Sequence, residues 1–443
     1  MSENLLSKKG LLARRASLEV IQAVGGGAFA DVALKRVLKL YSFKQIDKAL
    51  ITELSYGAIR YRYFLDCWID FLGKVSVKKQ PPILRWLLHI GLYQIFKMDR
   101  IPPAAAINTT VELAKTNHLR KLAPVANGIL RSALRMKEKG LSLPESKSSS
   151  LELAKNESLP VWLAKELIAW KGIEDAFVIA KSFNSVSTID LRVNKLRAEL
   201  KEVKIIFDSC GIENKLIPSC PFGLEVSAGA GEPKEWPGYV EGTWSIQDRS
   251  SQLIAPFLDP LPGERILDAC AAPGGKSTHI AELINNKGEI WSIDRSSSRS
   301  QKILANSNRL GTTCLQLLVA DSSELLDRYP EWNGYFHRIL IDAPCSGLGT
   351  LARHPDARWR INKNNIKELV TLQSKLLNSL APLLKGGGRL VYSTCTIHPD
   401  ENSNQIEKFV KSKSEFSLEY ERQIWPGEEA NGDGFYVAVL NKV

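Results

Sequence analysis

Apolar residues recur three and four positions apart from residue 10 to residue 138. The runs Ala16–Val24, Ala33–Leu40, Ile46–Phe64, Ile83–Met98, Ala104–Lys115 and Ala123–Met136 each predict an amphipathic helix. Asp99-Arg100-Ile101-Pro102-Pro103 and Asn127-Gly128 punctuate this pattern, so residues 1–142 are expected to be an all-α module. The next stretch turns polar around Ser146-Lys147-Ser148-Ser149-Ser150, and 143–158 is expected to be a linker. From Pro160 a helical pattern (Trp162, Leu163, Leu167, Ile168) leads to the alternating run Thr188–Asn194. A helix through Leu200, Val203, Ile206 and Phe207 follows, then short strands near Lys215–Ile217 and Gly223–Val226. That predicts a small α+β unit over 159–236. Beyond it the order becomes strand, glycine-rich turn, helix, strand, with apolar runs at Arg265–Asp268, Glu289–Asp294, Leu315–Val319, Arg338–Ile341 and Arg389–Tyr392. An open α/β sheet over 237–443 is expected, with its ligand site at the carboxyl ends of the strands.

Composition narrows the class. With 443 residues, 44% hydrophobic and 24% charged, the chain has material for several cores, which excludes extended disorder and collagen-like or coiled-coil rods. The longest uncharged stretch of the apolar N-terminal region, Trp86–Phe96, is far shorter than the roughly 20 residues of a membrane span, so no membrane partner is expected. Met1–Ser17 carries Lys8, Lys9, Arg14 and Arg15 without an apolar core and cleavage site, so no secretory signal is expected. Seven cysteines without a C-x-x-C pair form neither a disulfide framework nor a zinc signature, which fits the cytoplasm. The six histidines have neither metal nor triad spacing, and no metal is expected. Charge is asymmetric: of a net +11, residues 1–140 hold 24 Lys and Arg against 10 Asp and Glu. A polyanion such as RNA or DNA is the leading partner for that module, the alternative being a solvated basic surface.

The sharpest chemistry lies in Asp268-Ala269-Cys270-Ala271-Ala272-Pro273-Gly274-Gly275-Lys276-Ser277, after a predicted strand and opening a predicted helix. Small residues let backbone N–H groups approach a ligand there. Cys270 stands where a phosphate loop needs glycine, and G-x-G-x-x-G is absent, which favours a methionine-derived nucleoside cofactor over a nucleotide. Asp294 ends the following strand, placed to accept ribose hydroxyls, and Asp321 follows the next, placed to accept from an adenine amino group. Either alone reads as a strand-end turn residue; the two beside a glycine-rich turn read as a cofactor site. Asp342-Ala343-Pro344-Cys345 and Ser393-Thr394-Cys395-Thr396 bring two cysteines to strand ends. A lone cysteine is usually a small core residue. Two at this place suit methyl transfer to carbon 5 of a pyrimidine, where a thiolate first adds at carbon 6, a carboxylate such as Asp342 assists at N3, and a second thiol supports release. Arg353, His354, Arg358, Trp359 and Arg360 form a loop suited to phosphate contacts and base stacking, or a structural loop.

These residues resemble the Sun/NOP family of RNA cytosine-5 methyltransferases. The likeness is carried in order by Gln247-Asp248-Arg249-Ser250-Ser251-Gln252-Leu253, Asp268 to Ser277, Asp342-Ala343-Pro344-Cys345-Ser346-Gly347, Arg353-His354-Pro355-Asp356, Ser393-Thr394-Cys395-Thr396 and Pro399-Asp400-Glu401-Asn402. Upstream, Leu191-Arg192-Val193-Asn194 resembles that family's RRM-like extension. Ile101-Pro102-Pro103-Ala104-Ala105-Ala106-Ile107-Asn108 and Ala126-Asn127-Gly128-Ile129-Leu130 resemble the helical RNA-binding fold of NusB. The three-part arrangement is similar to the bacterial RsmB subgroup. It implies a NusB-like domain, an RRM-like α+β unit and a Rossmann-like class I methyltransferase domain. It further implies S-adenosylmethionine as cofactor and 16S ribosomal RNA as partner, met by a monomer before the small subunit is fully assembled. Cys270, Ala271, Ala272, Pro273, Gly274, Gly275 and Lys276 would then hold the methionine portion, Asp294 the ribose and Asp321 the adenine. Asp342 would lie between cofactor and base, Cys395 would be the nucleophile, and Cys345 would help release product. A tRNA or other rRNA target, and an idle domain on an rRNA-binding assembly or antitermination factor, remain as alternatives.

Overall fold

A computed structural model describes residues 10–185, 188–227, 231–428 and 432–443; the basic pair Lys8-Lys9 lies outside them. The chain divides into two compact units. One is built from residues up to Asn184 together with His354–Arg360, and the other from Ser185–Arg353 and Ile361–Val443.

The first unit is helical: α1 (Leu11–Gly25), α2 (Ala30–Leu40), α3 (Gln45–Arg60), α4 (Arg62–Leu72), α5 (Pro82–Lys97), α6 (Pro103–Thr116), α7 (Ala123–Glu138), α8 (Ser149–Glu157) and α9 (Val161–Ser182). α5 is the central post. Every residue from Trp86 to Ile95 is buried, as expected of a helix that is apolar on all sides, and α1, α3, α4, α6 and α7 pack around it. The single helix expected over Ile46–Phe64 is two helices meeting at Tyr61. The second is capped from a distance: the backbone N–H groups of Tyr63 and Phe64 donate to Ser158 Oγ at 3.0 and 3.3 Å, satisfying first-turn donors that the helix itself leaves open. The expected linker also needs correction. The serine run there starts α8, with Ser148 Oγ accepting from Leu151 N, and α8 buries Leu153 and Ala154. α9, expected to open the small α+β unit, clusters with the helical unit and bends at Gly172, whose φ is 76°.

The second unit holds two sheets. Strands β1 (Ile189–Val193), β2 (Asn214–Leu216), β3 (Gly223–Val226) and β4 (Trp244–Ile246) make an antiparallel sheet of order β2-β3-β1-β4, accompanied by α10 (Leu200–Ser209). Leu191, Val193, Phe207, Leu224, Trp236 and Trp244 form its core. The boundary expected at residue 236 therefore falls inside this sheet, because β4 is contributed from beyond it.

The larger sheet comprises β5 (Arg265–Asp268), β6 (Glu289–Asp294), β7 (Leu315–Val319), β8 (Phe336–Asp342), β9 (Leu384–Thr394), β10 (Phe416–Ile424) and β11 (Phe435–Lys442), in the order β10-β11-β9-β8-β5-β6-β7. Five strands run parallel and the C-terminal pair, not foreseen in the sequence, adds antiparallel to β9. Helices α11 (Gly275–Leu283), α12 (Ser297–Leu310), α13 (Lys363–Leu380) and α14 (Ser403–Ser412) accompany it. The register sets the site. Asp342 on β8 is paired with Ser393 on β9, and the N–H of Ala343 bonds to the carbonyl of Ser393 at 2.8 Å, so the segments leading to Cys345 and Cys395 leave the sheet side by side.

Candidate active site

The loop between β5 and α11 is shaped by its small residues. Gly274 has φ 99°, a left-handed conformation, and a Cβ there would stand 3.2 Å from the Ile303 backbone, so glycine is required on both counts. Arg299 donates to the carbonyl of Ala272 at 2.7 Å and Asn306 to that of Pro273 at 3.0 Å, fastening the loop to α12. Ser277 Oγ donates to Asp268 at 2.6 Å; burial nevertheless pushes the Asp268 carboxyl up to about 7. Burial, reinforced by the charges of Asp268, Asp342 and Asp294, pushes the Cys270 thiol far up, so Cys270 is a packing thiol and not a nucleophile.

A cavity of about 250 Å³ opens beside this loop at the carboxyl ends of the strands. Cys270, Asp294, Asp321, Asp342, Cys345 and Cys395 all line it. Asp294 is buried; its Oδ1 accepts from the N–H of Ser296 at 2.9 Å and its Oδ2 lies 3.4 Å from Arg299. Asp321 accepts from the hydroxyl and the N–H of Ser323, both on Oδ1, and these bonds hold its carboxyl below the usual range. At the inner end Asp342 is gripped by both oxygens: Lys276 Nζ at 2.6 Å and Ser393 Oγ at 3.0 Å. The same ammonium lies 5.1 Å above the Phe435 ring. A second cavity, about 210 Å³, shares Cys270, Ala272 and Asp342 and continues along Gly275 and Lys276; a Cβ on Gly275 would project into open space there, with only Gln247 Nε2 within 4 Å.

The two thiols face each other, Sγ to Sγ, at 3.3 Å. The hydrogen bond to Cys395, followed by burial and the charge of Glu401, drives the Cys345 thiol well above its ordinary value. These surroundings favour the protonated form of Cys345. The close approach depends on Gly349, whose N–H donates to the carbonyl of Cys395 at 3.0 Å; a Cβ there would fall 2.0 Å from the carbonyl oxygen of Gly434.

The arginine-rich loop makes internal contacts over much of its length, in keeping with the structural alternative for it. Arg353 donates to Asp433 at 3.0 Å, Asp248 at 2.8 Å and the carbonyl of Thr188 at 2.8 Å. Arg358 is fully buried, donating to the carbonyls of Ser158 and Phe183 at 3.2 and 3.0 Å, and burial brings its guanidinium down to about 9. Trp359 donates its indole N–H to the carbonyl of Ile59 at 2.6 Å, and Arg360 pairs with Asp356 at 3.0 Å while covering the Phe29 ring. His354 alone of the five is exposed. Conversely, Ser393 and Arg299 hold site groups to which the sequence assigns no role; Ser393 stands inside the quoted Ser393-Thr394-Cys395-Thr396 motif, and that position is the signal for it.

A glycine-built cradle, carboxylates at two successive strand ends and a thiol pair fit a nucleoside sulfonium, and among the described residues no metal-binding cluster competes with that assignment. Fold and site together define an S-adenosylmethionine-dependent RNA methyltransferase. The chain belongs to the family described as 16S rRNA methyltransferase RsmB/F, which matches residues 255–441, with a NusB-family match over residues 12–135. It is 38% identical over 430 residues to "Probable ribosomal RNA small subunit methyltransferase B" of Synechocystis sp., covering 94% of this chain and 96% of that one. A "Ribosomal RNA small subunit methyltransferase B" of Klebsiella pneumoniae is 36% identical, covering 89% and 90%. The crystal structure of PH0851 superposes with a TM-score of 0.81 at 26% identity over 98% of this chain and 99% of that one. A methyltransferase homologue from Pyrococcus horikoshii does so at 0.59 and 28% over 67% and 100%.

Proposed function

We propose that this protein methylates carbon 5 of a cytosine in 16S ribosomal RNA, of the cytosine 967 type, through a covalent adduct with Cys395. It would act as a monomer in the cytoplasm, before the small subunit is fully assembled. The thiol pair at 3.3 Å beside a clamped Asp342 carries this reading, and the names borne by the relatives support the substrate.

Carbon 5 of cytosine is a weak nucleophile, and attack at carbon 6 makes it a strong one. Cys395 Sγ supplies that attack as thiolate, and the S–H of Cys345 stabilises it beforehand. Lys276 and Ser393 fix the Asp342 side chain at the cavity wall, where it would lie between the cofactor and the base; a proton passed to it from the Lys276 ammonium would let it donate to N3 as attack at carbon 6 builds charge there, and would return when the adduct resolves. S-adenosylmethionine, when bound, supplies an electrophilic methyl group. Residues 270–276 would hold its methionine portion, Asp294 its ribose and Asp321 its adenine. Release requires the carbon 5 proton to leave to solvent and the bond between Sγ and carbon 6 to break, its electron pair returning to Cys395. Cys345, still protonated, receives that thiolate as a hydrogen-bond donor. The target base has to leave its stack to reach the thiols, which favours a loop or an unfolded stretch of RNA.

Incubation with S-adenosylmethionine and 16S transcripts containing 5-fluorocytosine tests this, since fluorine at carbon 5 blocks elimination. A denaturing gel should show an RNA–protein adduct with the wild type that disappears in Cys395→Ala. An adduct lost only in Cys345→Ala would reverse the roles, and none with any variant would remove the covalent mechanism.

A further inference from the structure

Behind the two thiols lies a buried polar cluster that the proposed mechanism does not use. Glu401 is fully buried, and its carboxylate accepts from four donor groups on three residues. Oε1 accepts from the N–H of Ser346 at 2.8 Å and from Gln373 Nε2 at 3.0 Å; Oε2 accepts from the hydroxyls of Ser346 and Thr396, the latter at 3.2 Å. Gln373 Nε2 also reaches the carbonyl of Pro344 at 2.9 Å. The adjacent Asn402 completes the pattern: it accepts from Thr394 Oγ1 at 2.6 Å and donates to the carbonyl of Thr396 at 3.0 Å. Pro344 and Ser346 flank Cys345, and Thr394 and Thr396 flank Cys395, so this pair of residues grips both chain neighbours of Cys395 and Ser346 beside Cys345, and is tied to Pro344 through Gln373. No other buried carboxylate among the described residues does so.

We propose that Glu401 is a positioning residue that, with Asn402, sets the separation of the two thiols and assigns their roles, its buried charge holding the proton on Cys345 and leaving Cys395 as the nucleophile. Burying a carboxylate is costly unless its lone pairs are filled, and here four donors fill them. A neutral side chain would suffice for packing, so the charge points to electrostatic work at the nearest ionisable groups. Those facing Cys345 are the Cys395 thiol, Glu401 and the Tyr392 phenol, with Asp342 and Cys270 on the cavity wall and Lys276 paired to Asp342. Tyr392 also donates its hydroxyl to the Glu401 carbonyl at 2.7 Å, which ties it to the same cluster.

This inference rests on the cysteine mechanism above, and Glu401→Gln tests it, because an amide keeps the shape while the Ser346 and Thr396 hydroxyls turn to accept. Iodoacetamide alkylation of each thiol is followed by peptide mass spectrometry from about pH 6 to about pH 10 in the absence of RNA, since only thiolates react. In the wild type Cys395 should alkylate at lower pH than Cys345. In Glu401→Gln the Cys345 profile should move down by about one unit, a roughly tenfold faster reaction at a given pH. Methyl transfer should lose about tenfold in kcat with the KM for RNA and the affinity for S-adenosylmethionine little changed. A loss of activity with no shift of the Cys345 profile would reduce Glu401 to packing and overturn the proposal. So would a wild type in which Cys345 alkylates first, a result that does not depend on the variant folding. A shifted profile together with no 5-fluorocytosine adduct would instead strike the covalent mechanism and leave the electrostatic effect of Glu401 standing.

Discussion

Asp268 closes the central strand with its carboxyl buried and one hydroxyl, that of Ser277, donating to it. Its folded value of about 7 lies well above the roughly 4 of an unfolded chain, so between those limits the folded state binds the extra proton. The sign follows: this group's contribution to stability declines as pH rises from about 4 to about 7 and levels off above that, at most about 1.4 kcal/mol per pH unit. Asp268→Asn, a neutral shape match, should therefore gain melting temperature over the wild type between pH 5 and pH 7, and thermal melts across that range would read the gap; a constant gap would refute it. Single residues were unevenly legible in the sequence. Asp294, Asp321, Asp342 and the two cysteines sit where chain order and strand ends put them, in one cavity. The internal contacts of Arg358 and Trp359 are not legible, because their carbonyl acceptors, at Ser158, Phe183 and Ile59, are remote in sequence, and a basic aromatic loop looks the same whether it faces RNA or a helix bundle.

At the level of elements, periodicity locates the long helices of the bundle to within a few residues, since those packed around the wholly buried α5 each bury one apolar face. It merged α3 with α4 because the break at Tyr61 leaves the apolar spacing intact, and the group that caps the second helix lies more than ninety residues downstream. Ser158→Ala removes that acceptor from two buried-side N–H groups and should destabilise the protein by about 1 kcal/mol, measurable by urea denaturation with an unchanged m-value. No effect on the midpoint would mean that the cap is replaced. The C-terminal pair β10 and β11 escaped notice for a different reason. β10 is mostly exposed and charged along Glu419, Glu421 and Arg422, so it lacks the apolar run that marked the parallel strands. Its pairing is with β11, one residue against the next, and such partners are set by register, which is invisible in a single segment.

For the molecule as a whole, the excess of positive charge in residues 1–140 is a physical statement about RNA affinity. On α7, Arg131 and Arg135 are exposed and bond to Asn127 and Ser132, with no carboxylate within pairing distance among the described residues. Replacing both by Gln should weaken binding to 16S RNA with little regard to sequence and lower the slope of log affinity against log salt by about 1 to 2; an unchanged slope would place the RNA elsewhere. The division into an acidic-to-neutral catalytic part and a basic helical part could be read from charge alone, whereas the allocation of α9 and of His354–Arg360 to the helical unit could not. That allocation bears on how the protein is born. Arg358 fills carbonyls at Ser158 and Phe183 from a point far along the chain, so the helical unit lacks a keystone until the ribosome has translated past residue 360. The nascent N-terminal bundle must wait, partly finished, through the synthesis of most of the catalytic sheet, and a gene truncated near residue 184 would encode a bundle that never receives its last piece.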